Sequence, residues 1–430
     1  MSPRHILVLA LLLPGLPSFA LAAEAPPARG LTPYEARIVA YVDAHQAEFE
    51  EDVTAAVRIS SATEELGGVK TMGGFFREKL AALGFDARFV ELPASTGRAG
   101  HLVAVHAGSH GKRLLLIGHL DTVYPAVPVR REGSILHASG VGDMKGGDMV
   151  IVEALRALQA AGALDSRRIQ VVMTGDEEAP GSPLAVARAA LLDAAKTSDL
   201  ALAFESIVDQ TGTVARRGSI TWELEVQGAT GHSSGMFSAL MGSGAIYEAA
   251  RILDEFHDTL RQMDGLTVSP AMIVGGTEAE LTRTGGTATG KSNIIPQRVL
   301  VRGDIRALSP EQLAEAEAKM QAIVARHLPR TSAELKFDEG YPPMPPTPAN
   351  YALLAQLDQA SRDLGLGPIT AFNPRDRGAG DIAFVSPPLP GLDGLGLPGT
   401  GEHTRKEFSD LSAAPAQVKR AALLIYRLTR

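Results

Sequence analysis

The sequence predicts an α/β fold in which a mostly parallel sheet, covered by helices on both faces, is interrupted by a smaller α+β unit. Three observations carry this. Three short apolar runs, 114–117, 169–174 and 200–204, are rich enough in branched residues to be strands buried on both faces. Strand-like and helix-like stretches alternate through the first half of the chain, as parallel sheets require. Near Val214 the pattern changes: residues 220–226 (ITWELEV) alternate apolar and polar, as in a half-exposed antiparallel sheet. Each of the three apolar runs also stops on ionisable residues. The first runs into Gly118-His119-Leu120-Asp121, the second into Gly175-Asp176-Glu177-Glu178, and the third into Glu205. Sites in open α/β sheets gather at the carboxyl ends of strands, so these residues are expected to meet at one place.

The chain has 430 residues, too many for one ordinary core, which points to two domains. Its first residues have the form of a signal peptide: Arg4, an apolar run over 6–13, then Ala20-Leu21-Ala22 as a small-residue cleavage site. Pro14 and Pro17 interrupt the run well before the roughly 20 apolar residues of a membrane span, so no stable membrane anchor is expected. Cleavage after Ala22 would place the mature protein in the periplasm or outside the cell. The formal net charge is −8, and losing the leader's one cation, Arg4, makes it −9. That balance excludes nucleic acid as a partner, because phosphate backbones need a basic face. With no cysteine there is no disulfide and no thiolate ligand, and any metal must be held by imidazole and carboxylate.

Residues 23–30 are a Pro/Ala-rich leader segment. Thr32-Pro33-Tyr34-Glu35 starts a helix, with a Thr cap, Pro at the first position and Glu three residues on. A helix over 72–83 closes at Gly84, and strands are expected at 85–92, 101–106 and 113–117. After the Gly-rich stretch 140–147, the spacing of Val152, Leu155 and Leu158 gives a helix to about residue 160. In the second unit, a long helix is expected over 239–263, a strand over 298–306, a helix from Ser309-Pro310 to about 327, and a strand over 333–337. The Pro-rich segment 341–348 reads as a linker back to the first unit. The expected divisions are a leader at 1–22, a first part of the α/β unit at 23–213, an inserted α+β unit at 214–340, and a second part of the α/β unit at 341–430.

His119 and Asp121, two residues apart at a strand end, lie on one side, and a metal-binding imidazole commonly gives its second N–H to a carboxylate. Taken alone, the pair is also compatible with an ordinary polar strand end. Asp143 sits among glycines that let the backbone turn tightly, though it would serve equally as the cap of the following helix. Glu177 and Glu178 point in different directions, so one can bind metal while the other works as general base; a solvated acidic turn has the same composition. Glu205 follows an apolar run, where an unpaired carboxylate is costly to bury. His403 lies far downstream in the loop 399–407, where a lone His is ordinarily a surface residue; with His119 and these carboxylates it makes the hard, oxygen-rich donor set of a co-catalytic dizinc site.

Gly118–Val123, Gly142–Gly147, Gly175–Glu178, Glu205, Gly231-His232 and Glu402-His403-Thr404 occur in an order that resembles a zinc carboxypeptidase family. That family includes glutamate carboxypeptidase, acetylornithine deacetylase, succinyl-diaminopimelate desuccinylase and peptidase T. The likeness covers essentially the mature chain and is nearest the periplasmic glutamate-carboxypeptidase branch. It implies two Zn2+ per subunit, with Co2+ or Mn2+ as substitutes. Asp143 would bridge them, His119 and Glu205 would complete one site, and Glu178 and His403 the other. It further implies that Asp121 orients His119, that Glu177 is the base, and that the Asp143–Met144 peptide is cis. The inserted unit would be a dimerisation lid making a homodimer. Its His232 would reach across to steady the oxyanion, while Asn293 and Arg306 hold the substrate, Arg306 gripping a free carboxylate. Two departures stand out. Ser206-Ile207 follows Glu205 where Pro is frequent, and Gly378-Ala379-Gly380-Asp381 replaces the more usual Gly-Gly-Thr-Asp. The expected activity is cleavage of an amide in a small peptide or N-acyl amino acid, releasing a C-terminal amino acid. N-acyl amino acid deacylation and a silent peptide-binding role are the alternatives.

Overall fold

The computed structural model describes residues 29–430 with the exception of Arg283. The expected leader at 1–22 lies outside the described residues. Among the described residues no helix is long and apolar enough to cross a membrane.

The larger unit is built on a six-stranded sheet in the order Asp86–Glu91, Gly100–His106, Arg167–Thr174, His110–His119, Leu200–Ala203, Gly391–Leu392. The four strands on the site side run parallel, and the two edge pairings are antiparallel. The reason is local. Only residues 92–99 join the first two strands, too few for a parallel crossover. The central apolar runs are buried on both faces with period two. Leu114, Leu116, Val171 and Leu202 pack toward the helices Lys145–Ala160 and Ala414–Thr429. Leu115, Ile117, Val172 and Ala203 pack toward Leu191, Ile382 and Val385 on the opposite face.

The smaller unit has its own core and an antiparallel sheet in the order Thr267–Gly276, Arg298–Arg306, Ile220–Gly228, Thr331–Phe337. Ile220, Trp222, Leu224 and Val226 are buried beneath the helices Gly244–Leu260 and Pro310–Val324. The opposite face of the sheet carries Glu225 paired with Arg298 at 2.9 Å and Glu223 with Arg302 at 2.7 Å. The chain enters and leaves this unit at adjacent points. Ser219 and Tyr341 exchange backbone hydrogen bonds of 2.9 and 3.1 Å, and Arg216 pairs with Met344.

Helix ends differ from expectation where glycine intervenes. The helix expected from residue 239 starts only at Gly244, because Gly242 (φ 64°) holds a left-handed conformation that interrupts a helical run from 239, and Gly244 (φ 71°) still has it at the helix's first residue. The helix expected from residue 72 begins earlier, at Leu66. Thr32 forms the expected capping box with Glu35.

Candidate metal centre

The residues at the strand ends converge. His119 closes the central strand, Glu177 and Glu178 form the turn after Arg167–Thr174, and Glu205 lies just past Leu200–Ala203. Asp143 precedes the helix Lys145–Ala160, whose cap position is Met144 and not Asp143, so capping does not explain the aspartate. The Asp143–Met144 peptide is cis. Gly142 and Gly147 make the approach possible. A Cβ on Gly142 would lie 2.6 Å from Gly399 Cα, and one on Gly147 would lie 1.9 Å from the Phe204 carbonyl oxygen. His403 sits in a loop at φ 57°, a left-handed conformation that turns its ring toward Asp143.

His119 Nε2 is 3.0 Å from Asp143 Oδ1 and 3.8 Å from Glu205 Oε1. His403 Nε2 is 2.9 Å from Asp143 Oδ2 and 3.4 Å from Glu178 Oε2. Two triads, His119–Asp143–Glu205 and Asp143–Glu178–His403, each bring their donor atoms within 4.8 Å of one another. Asp143 belongs to both and turns one oxygen to each. One imidazole and two carboxylates per triad, with room for a further ligand, is a donor set that fits a hydrolytic divalent metal. The Glu177 side chain joins neither triad and makes no hydrogen bond among the described residues, leaving its carboxyl available.

The supports behind these groups were only partly foreseeable. Asp121 is fully buried, and the backbone oxygen of Asp121 is nearer His119 Nδ1, at 3.0 Å, than its carboxylate, at 3.5 Å. That carboxylate chiefly accepts the Thr63 hydroxyl at 2.6 Å and the N–H groups of Glu177 and Glu178 at 3.0 and 3.1 Å. It therefore fixes the Glu177–Glu178 turn as well as the imidazole. On the other side of that turn, Tyr341 donates to the Glu177 carbonyl at 2.6 Å, and Arg188 binds Asp176, Asp381 and the Tyr341 hydroxyl. Asp381 is thus committed to a buried ion pair with Arg188. Glu407, which the sequence reading passed over, accepts the N–H groups of Gly140, Gly142 and Asp143 at 2.7, 2.8 and 3.1 Å. Glu407→Ala would leave three buried donors unpaired. Thermal unfolding should register a loss of roughly 3 kcal/mol, and metal retention on dialysis should fall. An unchanged melting temperature and full metal content would refute that role.

Burial dominates the electrostatics. It opposes charge on His119, but the carboxylates of Asp121 and Asp143 outweigh it and hold the imidazole well above its usual range. His403 is raised by its bond to Asp143. Burial would raise Asp143, yet hydrogen bonds from both histidines keep it well below the carboxylate range. Glu178 is pushed up to about 11 by burial and by Asp143 and Glu177. Glu205 rises to about 7 through burial, with Arg216 pulling the other way. Glu177 is raised well above its usual value by burial and then by Glu205. Protons and metal ions therefore compete for the same atoms. Metals need neutral imidazole and ionised carboxylate, so affinity should rise with pH, by about one log unit per pH unit for each proton displaced. Zinc competition titrations between pH 6 and pH 8 test this, and a flat profile would refute it.

The expected lid residues lie apart from the triads. His232 and Asn293 are exposed on adjoining loops, where His232 pairs with Ile294 and Ser233 N–H donates to the Asn293 carbonyl at 2.9 Å. His232 Nδ1 lies 3.2 Å from the Ser234 N–H and 2.8 Å from the Ser234 hydroxyl. Neither side chain is hydrogen-bonded to a triad residue. Arg306 pairs with Asp304 at 2.8 Å and stands beside Gly378 of the larger unit.

Known proteins share this architecture. The family model described as peptidase family M20/M25/M40 matches residues 115–427. Carboxypeptidase G2 of Pseudomonas sp. (strain RS-16) is 28% identical over 391 residues, covering 86% of this chain and 87% of its own. A succinyl-diaminopimelate desuccinylase of Sphingopyxis alaskensis is 28% identical over 282 residues, covering 63% and 70%. Among solved structures, a tripeptidase from Staphylococcus aureus superposes with a TM-score of 0.67 at 20% identity, over 90% of this chain and 99% of that one. An M20 family metallo-carboxypeptidase from Sulfolobus solfataricus gives 0.64 at 15% identity, over 88% and 98%. A match across most of the chain places this protein in peptidase family M20/M25/M40.

Proposed function

We propose that this chain is a dizinc hydrolase that cleaves an amide bond and releases a C-terminal amino acid with a free carboxylate. The observation that carries the reading is the pair of triads joined through Asp143, with Glu177 beside them and unengaged. The His119–Asp143–Glu205 and Asp143–Glu178–His403 triads would hold the zinc ions, whose chemistry when bound would be Lewis-acid polarisation of the scissile carbonyl and a lowered pKa for a water. Glu177 takes the proton of the attacking water on its carboxylate and delivers it to the leaving nitrogen. Its turn is gripped from both sides by Asp121 and Tyr341, so that carboxylate is held in place without reorganisation. Arg306 receives the substrate's carboxylate with a planar fork of donors, and Asn293 binds alongside. His232 supplies a donor to the oxyanion in a partner subunit.

The homodimer belongs to the same proposal. Phe237, Leu240, Ile246, Tyr247 and Ile273 are exposed on the smaller unit, and Ile273 lies on its edge strand Thr267–Gly276. An apolar patch continuous with an unpaired strand edge suits a second copy. Ile273→Lys should convert a dimer to a monomer on gel filtration with light scattering, and turnover should fall with it. A fully active monomer would refute the cross-subunit role of His232. Export through the leader at 1–22, to the periplasm or beyond, completes the reading.

The deciding experiment measures amino acid release from dipeptide and N-acyl panels by the zinc-loaded mature protein, with and without a chelator. Chelator-sensitive release supports the reading, and the preferred panel separates carboxypeptidase from deacylase. No release from any substrate, with two zinc ions bound, would overturn it in favour of a silent binding protein.

A further inference from the structure

The chain leaves the smaller unit through Glu339-Gly340-Tyr341, and two side chains of this short stretch reach the loop that carries Glu177. Its backbone belongs to the crossing between the units. Asp338 N–H donates to the Thr221 carbonyl at 2.9 Å, and Ser219 and Tyr341 exchange the bonds described above. Gly340 is packed so closely that a Cβ there would lie 2.2 Å from the Ser219 carbonyl oxygen. Tyr341 is buried, with its ring centroid 4.9 Å from that of Phe384. Its hydroxyl accepts from Arg188 Nη2 at 2.7 Å and has one proton to give. The Glu177 carbonyl stands at 2.6 Å and Asp381 Oδ1 at 3.4 Å, so the proton goes to the carbonyl. Further along the same loop, Leu184 N–H donates to the Glu339 carboxylate at 3.2 Å.

The turn of the base therefore has two supports of different kinds. Asp121, which accepts the N–H groups of Glu177 and Glu178, belongs to the larger unit alone. Tyr341 belongs to a strand of the crossing. Rotation of one unit against another is absorbed by the few residues where the chain passes between them. A displacement of Tyr341 is then carried by its hydroxyl to the backbone of Glu177.

We propose that Tyr341 is a positioning residue for Glu177, through which the seat of the smaller unit sets where the base stands. The inference rests on the hydrolase reading for the role of Glu177, whereas the linkage between crossing and turn stands apart from it. Two accounts compete. In one, Tyr341 does no more than pack the crossing against Phe384 and close the ion network of Arg188. In the other, the link runs through Arg216 on the entering strand, whose Nη2 lies 3.8 Å from Glu205 Oε2.

Tyr341→Phe removes the hydroxyl and keeps the ring. Hydrogen exchange is followed by mass spectrometry with and without zinc, in the native protein and the variant, and turnover of dipeptide and N-acyl substrates is measured alongside. Loading with zinc engages Glu178 and should slow exchange in the native protein at both 175–181 and 338–345, because coupled sites act on each other reciprocally. In Tyr341→Phe the first segment should respond as before and the second should not, with two zinc ions still bound. Its kcat should fall by about tenfold or more at unchanged KM, the mark of an interaction needed only in the transition state. Glu339→Gln, at an exposed position, should move both readouts the same way by less. The proposal is overturned if 338–345 ignores zinc in the native protein, or if it responds equally in Tyr341→Phe, which is the Arg216 outcome. It is equally overturned if Tyr341→Phe lowers melting temperature and zinc content with kcat retained, which is the packing outcome. Protection of both segments in a protein that hydrolyses no substrate would sustain the linkage and sink the hydrolase reading. Hydrolysis with kcat unchanged in Tyr341→Phe would do the reverse.

Discussion

Glu177→Gln should reduce turnover by roughly 10²–10⁴-fold, the usual contribution of a positioned general base, and leave two zinc ions bound. The amide keeps the shape of the carboxyl but cannot accept the proton of the attacking water. Neither triad includes Glu177, so the metal ligands are intact. The variant should also melt no lower than the native protein. Burial and the neighbouring Glu205 already make the charge on Glu177 unfavourable, and removing it relieves that repulsion. Inactivity with full metal content and undiminished stability is the signature of a base rather than a scaffold residue. Turnover within tenfold of native would dispose of the mechanism.

Asp143→Ala should be the most damaging single change at the metal centre. It removes the oxygen facing His119 and the oxygen facing His403 together, whereas Glu178→Ala or Glu205→Ala empties one position in one triad. Losing an outer partner of a metal ligand costs roughly 10–100-fold in affinity, and a shared ligand should cost more at both positions. After dialysis the Asp143→Ala protein should retain neither ion, and the single-triad variants should retain close to one. One ion held at native affinity by Asp143→Ala, seen by elemental analysis, would mean that the aspartate does not bridge.

Part of the candidate metal centre was legible because three apolar strands each end on ionisable residues, so a period-two burial pattern pointed to where those residues must lie. His119, the Glu177–Glu178 pair and Glu205 stood out in this way, while the choice of Glu178 over Glu177 as a ligand came from the family likeness. His403 had no such marker, and only the family likeness singled it out. Glu407 was missed for a physical reason. In Arg405-Lys406-Glu407 it reads as one more surface charge, and nothing local reveals that the loop 140–143 folds onto it from far along the chain. Arg188, Asp381 and Tyr341 were obscured in the same way, because a buried ion network is assembled from distant segments. The sheet's edge was hidden for another reason. Parallel order was inferred from helices between strands, and the short 92–99 connection, too short for a parallel crossover, carries only a single 3₁₀ turn, Ala94–Thr96.

The paired crossing at Ser219 and Tyr341 has a consequence for how such a chain is assembled. The two residues exchange hydrogen bonds as in an ordinary narrow strand pair, so everything from 220 to 340 begins and ends at one doorway. To the larger unit this whole excursion is equivalent to the tip of a hairpin. Its length does not stretch the host, and each unit closes its core without borrowing from the other. A module attached in this way is exchangeable: a turn of a few residues, or a different folded insert, would meet the same two backbone partners.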